Sequence, residues 1–526
     1  MFRYCPIAMS RPLPFAVNDM DFLRWFKSLN LEDEVQSCEQ LLHILLTLNK
    51  TPVAGKTRLL ILEKIAPVLF QLTARITTQP VINQNLHPFD ADENTVYDFS
   101  IWSCVELANS YKMLSMEEAF KKNTYYSQQQ KSLLITHGLQ ALSKALLYMS
   151  QLYNRPYANF WSDCYHFYRL AHHKETIKYS GESITNAFKH VLVFYLSHTN
   201  QFSPQEMRVV YALLGQYSIH AKLLKNVPEK KFRGTPWVHL RRDLPPSNPT
   251  DDVDKDDPYV LYTAAVDVAS KVLEAAYDKE LEHSYLDQLM LLRLAKALTS
   301  NTQRKHERVP VNTPCMALIN FEHLIDYLRN QALENAYTAN AKGYIDLKAT
   351  GALHRITANI GAGYNRQPTT PPELSAIFNT TRPADTHVKL IDKSKNGCGV
   401  LWPNKRIKPK VGNIIGLQQK SLNIGFIRWL SQSEESDTKI GVELLGINAQ
   451  AIKISNAGQP DTEIDAIYLP REDSNRQPES VLVLNNGFHP DEYIFIKKEH
   501  SNNRYRQMRQ LHSTEFLNRY QIIQVN

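Results

Sequence analysis

The feature that most constrains this chain is a change of hydrophobic period near residue 300. Before it, apolar residues recur at spacings of three and four, as in "EQLLHILLTLNK" (39–50), "TRLLILEKIAPVLFQLTARI" (57–76), "LLITHGLQALSKALLYMSQLY" (133–153) and "ITNAFKHVLVFYLSHTN" (184–200). That spacing lines one face of a helix. Pro67 is expected to kink the second segment or mark its boundary. Ser115 and Glu118 have the spacing of a capping box, which would start a further helix. From about Val311 the chain carries short apolar runs separated by Gly, Asn and Pro: "PCMALINF", "THVKLIDKS", "GVLW", "VGNIIGLQ", "IGFIRWLS" and "KIGVELLG". Runs punctuated in this way suggest a small antiparallel barrel or sandwich. With 526 residues the chain is also too long for one core.

The fold class expected is therefore multidomain α+β. An N-terminal all-α domain spans 1–243, and an acidic, proline-rich linker, "LPPSNPTDDVDKDDP", spans 244–258. A helical segment at 259–300 leads into a β-barrel at 301–450. The barrel carries an insertion at about 322–385 that opens with the helical "EHLIDYLRNQALENAY". A β-rich module occupies 451–526, with "AIYLP", "SVLVLNNGFHPDEYIFIKKE" and "RYQIIQV" as its runs. No fixed-period repeat stands out. The aromatic stretch "YANFWSDCYHFYRLAHH" reads as helix–helix core rather than a binding surface.

Several function classes drop out. A net charge of +7, with no long Lys/Arg block, permits an anionic partner without demanding nucleic acid. The six cysteines are scattered with no CxxC pair, which argues against a metal ribbon or a disulfide framework and for a reducing compartment. The N-terminal stretch lacks the apolar core of a signal peptide, and no apolar run approaches the roughly 20 residues of a membrane span. A cytoplasmic location is expected. "VAGKTR" (53–58) lacks the first glycine and the preceding strand of a phosphate loop, and "GAG" (361–363) lacks a third glycine. His166, His172 and His173 have no Cys, Asp or Glu cluster to complete a metal site. No nucleophile elbow or HExxH is present, so the chain is expected not to be an enzyme.

Two signals remain. Arg304 and Arg308 form R-x-x-x-R in "QRKHERVPVNTPCMALINF", where helical periodicity gives way to strands. Asp392, Ser394 and Gly397 form D-x-S-x-x-G in "KLIDKSKNGCGVLW", between the next two runs. Either pattern alone is weak: an Arg pair at this spacing is expected roughly once by chance in a chain this long. Between Asp392 and Glu434, however, every charged residue is Lys or Arg.

Placed in this order, with "IGFIRWL" and "KIGVELLG" following, these segments resemble a PilZ domain, a bacterial receptor for cyclic di-GMP. The resemblance covers about 300–450. It implies a six-stranded antiparallel barrel, with R-x-x-x-R ahead of the first strand and D/N-x-S-x-x-G between the second and third. It further implies that Arg304, Arg308, Asp392, Ser394 and Gly397 bind the ligand, with no other cofactor. The chemistry is apt, because arginine pairs with phosphate, forks onto the O6/N7 edge of guanine and stacks on a purine face. Asp392 and Ser394 would offer hydrogen bonds to a guanine edge, and Gly397 would let the loop turn. Lys393 and Lys395 would add diffuse attraction. An alternative first strand, "HRITANIGAG" (354–363), would leave Gly351 where the first arginine belongs and Arg355 as the second. By resemblance, the output would be motility, pili, biofilm or exopolysaccharide through a protein partner met by the helical domain. An interaction adaptor that binds no nucleotide, and an RNA-binding barrel, are the competing readings.

Overall fold

The computed structural model describes residues 12–78, 91–117, 126–172, 181–225, 235–247, 257–278, 285–299, 307–341, 386–403, 409–419, 421–432, 437–472, 477–485, 493–498, 501–514 and 516–525. The chain forms two compact units that meet in sequence between residues 304 and 305.

The first unit is helical: α1 (Asp19–Lys27), α2 (Glu34–Lys50), α3 (Gly55–Ile76), α4 (Ala91–Met116), α5 (Gln128–Gln151), α6 (Phe160–His172), α7 (Gly181–Leu196) and α8 (Pro204–Tyr217). The starts are written in the sequence. Ser127 accepts from the Gln130 N–H while the Gln130 side chain reaches back, and Ser203 does the same with Glu206, with Pro204 in the first turn. Ser115 sits in the last turn of α4, where its hydroxyl donates to the Lys112 carbonyl at 2.6 Å; Glu118 and the helix expected to start there lie outside the described residues. Pro67 lies inside α3, so of its two expected roles it does not mark a boundary. The aromatic stretch is core: Phe160, Trp161, Tyr165, Phe167 and Tyr168 are buried, and Tyr168 stacks on Phe188 with centroids 4.1 Å apart.

The segment expected to be wholly helical after the linker begins as a strand. Val260–Ala264 (β3) pairs on either side with β1 (Lys222–Leu224) and β2 (Trp237–His239) in a three-stranded antiparallel sheet. Every residue of "VLYTA" is buried, so burial on both faces overrode the helix-like spacing of the following "AAVDVASK". Helices α9 (Val266–Ala276) and α10 (Tyr285–Thr299) then follow. Part of the expected linker is tied down: the Leu244 carbonyl accepts from the Tyr165 hydroxyl at 2.6 Å, and Ser247 bridges to Trp237.

The second unit contains two closed six-stranded antiparallel barrels, as the expected fold class requires for the first and extends for the second. Barrel one comprises β4 (Val309–Ile319), β5 (Thr386–Ser394), β6 (Gly397–Trp402), β7 (Ile414–Gln418), β8 (Leu422–Gln432) and β9 (Thr438–Ile447), in spatial order β4-β5-β6-β9-β8-β7. Barrel two comprises β10 (Gln450–Asn456), β11 (Gln459–Leu469), β12 (Ser480–Leu484), β13 (Tyr493–Lys498), β14 (Ser501–Ser513) and β15 (Leu517–Gln524), in order β10-β11-β12-β15-β14-β13. Numbered within each barrel, the two orders are identical. Between β4 and β5 lies α11 (Phe321–Ala341), the helix expected at the start of the insertion. Its Phe321, Leu324, Ile325 and Leu328 share one core with Phe426 and Leu445 of barrel one and with Ile467, Leu482 and Leu517 of barrel two. The two barrels are thus fused through α11. Arg329 of α11 also pairs with Asp465 of β11.

Candidate functional site

The first strand of barrel one is β4, which pairs with β5 and closes the barrel onto β7. The arginine segment expected ahead of the first strand therefore runs directly into β4, and the alternative strand at 354–363 lies outside the described residues. Arg308 immediately precedes β4, and Val309 and Pro310 sit opposite Lys393 and Asp392. Arg308 and Asp392, on either side of the insertion in sequence, are thereby brought together.

Asp392 reaches the outer face through a bulge. Leu390 pairs with Val400, but the next pair is Asp392 with Gly399, so Ile391 is an extra residue on β5. Val388 and Leu390 point into the core, and unbroken alternation would send Asp392 the same way; the bulge re-aims it outward. There Arg308 Nη1 donates to both carboxylate oxygens, at 2.8 and 2.9 Å. The pair is about one-fifth exposed on each side chain. Among the described residues only Nη1 of the guanidinium is paired, which leaves Nε and Nη2 of the fixed fork as donors for an incoming acceptor.

Ser394 ends β5, and its hydroxyl donates to the Gly397 carbonyl at 3.1 Å across a turn of Lys395 and Asn396. The Asn396 carbonyl in turn accepts from the Leu444 N–H of β9 at 3.0 Å. Gly397 is needed for a reason other than the expected one. A Cβ there would sit 2.7 Å from the Val442 carbonyl oxygen, so the glycine admits the neighbouring strand. Arg304 lies outside the described residues.

Two residues of this face were missed. Gly399 and Gly441 sit opposite each other on β6 and β9. A Cβ on Gly399 would fall 2.8 Å from Asp392 Oδ1, and one on Gly441 would overlap the Trp429 indole. The two glycines make room on this face for larger neighbours: the Asp392 carboxylate lies over Gly399 and the half-buried Trp429 indole over Gly441. Glycine inside a strand run signals such close approach and was readable in "GCGVLW" and "KIGVELLG". The face so built sets a carboxylate and an indole beside a guanidinium with spare donors.

The cysteine nearest the site is inert. Cys398 points inward, and burial pushes its thiol up to about 12, with Cys315 and Asp392 adding to the rise. Of the histidines weighed as ligands, half-buried His166 faces the Ser115 hydroxyl at 3.5 Å, and His173 and the side chain of His172 are outside what is described. Among the described residues no group of three or more potential metal ligands is found, and no helix is long and apolar enough to cross a membrane.

Comparison with known proteins bears on the same region. Residues 20–229 match the family model of the cyclic-di-GMP receptor FimW, N-terminal domain, and residues 338–451 match that of the cyclic-di-GMP receptor FimW, middle PilZ domain. The two matches occupy the helical unit and barrel one in the order found here, and together span more than half of the chain. The chain belongs to this family. The PilZ resemblance and the long N-terminal helical region are both borne out. The family's middle-domain match begins after β4, so Arg308 is joined to it by the barrel's geometry alone. No curated protein and no solved structure matches the chain.

Proposed function

We propose that this chain is a receptor for cyclic di-GMP and acts as a binding effector rather than an enzyme. Barrel one holds the ligand through Arg304, Arg308, Asp392, Ser394 and Gly397. One observation carries the reading: Arg308 and Asp392, far apart in sequence, meet at 2.8 Å on a face where Gly399 makes room for the carboxylate. Asp392 pins one corner of the guanidinium, which lowers the ordering cost of binding. Its remaining donors serve a phosphate or the O6/N7 edge. Asp392 and Ser394 take the donors of a guanine, and Trp429, lying over Gly441, supplies an aromatic group on the same face. In a cytoplasmic setting, ligand-dependent recruitment of a protein partner by the helical unit would pass the signal to motility, pili, biofilm or exopolysaccharide. Such a switch requires that the ligand favour one arrangement of the protein over another.

Calorimetric titration with cyclic di-GMP tests this, with GTP as specificity control. Wild type is expected to bind at micromolar or tighter affinity, and Arg304→Ala, Arg308→Ala and Asp392→Ala to lose at least roughly tenfold. Arg308→Lys should behave like Arg308→Ala, because a lysine keeps the charge but not the fork. A folded, ligand-free wild type that does not bind would leave an interaction adaptor as the better account.

A further inference from the structure

Barrel two repeats the strand order of barrel one but not its motif. No R-x-x-x-R precedes β10, and the β11–β12 connection, "PREDSNRQPE", contains no D/N-x-S-x-x-G. At the position equivalent to the motif hairpin, Glu472 pairs with Gln477. Barrel two nevertheless meets the motif of barrel one. A cavity of about 470 Å³ is lined by Lys393, Ser394 and Lys395 of the motif turn, by Glu443 of β9, and by Gln477 and Arg519 of barrel two.

The two residues from barrel two are buried and incompletely satisfied. Arg519 is 4% exposed; its Nε donates to the Ser480 hydroxyl at 3.0 Å, while Nη2 has no partner among the described residues. Gln477 is 6% exposed; its Nε2 donates to the Pro470 carbonyl at 2.8 Å, while Oε1 has no partner among the described residues. A buried donor or acceptor left unmatched costs free energy comparable to a lost hydrogen bond. The cavity therefore offers one strong donor and one acceptor, with two lysines at the motif turn. Glu443, the acid in the lining, is already engaged by Arg428.

We propose that the nucleotide site is shared between the barrels, and that Arg519 and Gln477 read the second guanine of the same ligand. A donor beside an acceptor matches the Watson–Crick edge of guanine, where O6 accepts and N1–H and N2–H donate. A phosphate fits less well, because it has no proton for Gln477 Oε1. Lys393 and Lys395 lie where the ligand's phosphate would pass between the two guanines. Asp392 and Ser394 are two residues apart on one strand face, about 7 Å. That step carries a cyclic dinucleotide from the Arg308–Asp392 pair to the cavity mouth. Barrel two is then a specificity element for barrel one rather than an independent receptor. This rests on barrel one being the cyclic di-GMP site.

The test compares cyclic di-GMP with cyclic GMP–AMP, in which one guanine is replaced by adenine. Titrations use full-length wild type, Gln477→Leu, Arg519→Gln and Arg308→Ala, each checked for an unchanged far-UV spectrum and melting transition. Wild type is expected to prefer cyclic di-GMP. Gln477→Leu and Arg519→Gln are each expected to lose roughly tenfold in affinity for it, and the two ligands' affinities should converge. General damage to the barrel would weaken both ligands alike and leave the preference intact; that result overturns the proposal. Should Arg519→Gln fail to fold, Gln477→Leu decides. If wild type binds and Arg308→Ala does not, yet folded Gln477→Leu and Arg519→Gln match wild type in affinity and preference, the shared site is wrong and the receptor reading stands. If wild type binds neither ligand, the receptor reading fails first and the shared site with it.

Discussion

At Asp392 one carboxylate is fixed from two sides: Arg308 holds both oxygens, and Gly399 leaves the room in which they lie. The second half of that arrangement makes the more discriminating prediction. Gly399→Ala would place a methyl group 2.8 Å from Oδ1, and the carboxylate must swing away from Arg308. Calorimetry should show at least a roughly tenfold loss of cyclic di-GMP affinity, with a melting temperature close to wild type. Unchanged affinity would mean that the Arg308–Asp392 geometry is not what the ligand reads. The residues of the motif could be proposed from sequence because of their order: each pattern alone is weak, but the arginine pair abuts the first β-like run and D-x-S-x-x-G separates the next two. Arg519 in "FLNRYQIIQV" could not. Its significance depends on a cavity whose other wall comes from a different barrel, and no local spacing records that.

Among the elements, α11 has a role that its sequence alone does not reveal. Its apolar stripe marks it as a helix, yet it reads as an insertion interrupting a barrel. In the structure its Leu324 is fully buried in a core to which both barrels contribute. Leu324→Ala should therefore cost about 2–5 kcal/mol and lower the unfolding midpoint of both barrels in one transition. Urea unfolding followed by tryptophan fluorescence, with Trp402 and Trp429 as reporters of barrel one, and by exchange of β12 and β15 amides would check this. Separate transitions for the barrels would contradict a shared core. Sequence reading succeeded where local rules suffice, as for the helical periodicity of α5 and the β5–β6 hairpin. It failed at β3, where "VLYTA" runs into a helical pattern and only its flanking partners β1 and β2 decide the outcome. The identical order of the two barrels was equally hidden, since closure of β10 onto β13 is a long-range pairing.

Across the whole molecule, buried histidines set the response to acid. His190 donates from Nε2 to the Tyr211 carbonyl at 3.0 Å, and burial pushes its pKa from 6.5 down to about 4. His166 is brought to about 4 by burial with Lys112 and Arg169 nearby, and His512 of barrel two by burial beside Arg428. Unfolding returns each to its ordinary range, so between pH 6.5 and 4 the unfolded chain binds more protons than the folded one. Stability should be flat above about pH 6.5 and fall as the pH drops through that window; His190 alone contributes about 2 kcal/mol of the loss by pH 5. Denaturant midpoints measured at pH 7.5, 6 and 5 would show this in both units. A midpoint that holds to pH 5 would mean that these imidazoles are already charged in the fold. The split of barrel one also bears on how the chain is made. Strand β4 leaves the ribosome well before β5, because everything from Asn320 to Asp385 must be translated between them. At the usual rate of about 5–20 residues per second, the backbone of β4 stays unpaired for several seconds. Helix α11, synthesised directly after it and packed on the same core, is the first element able to shield that nascent edge from aggregation.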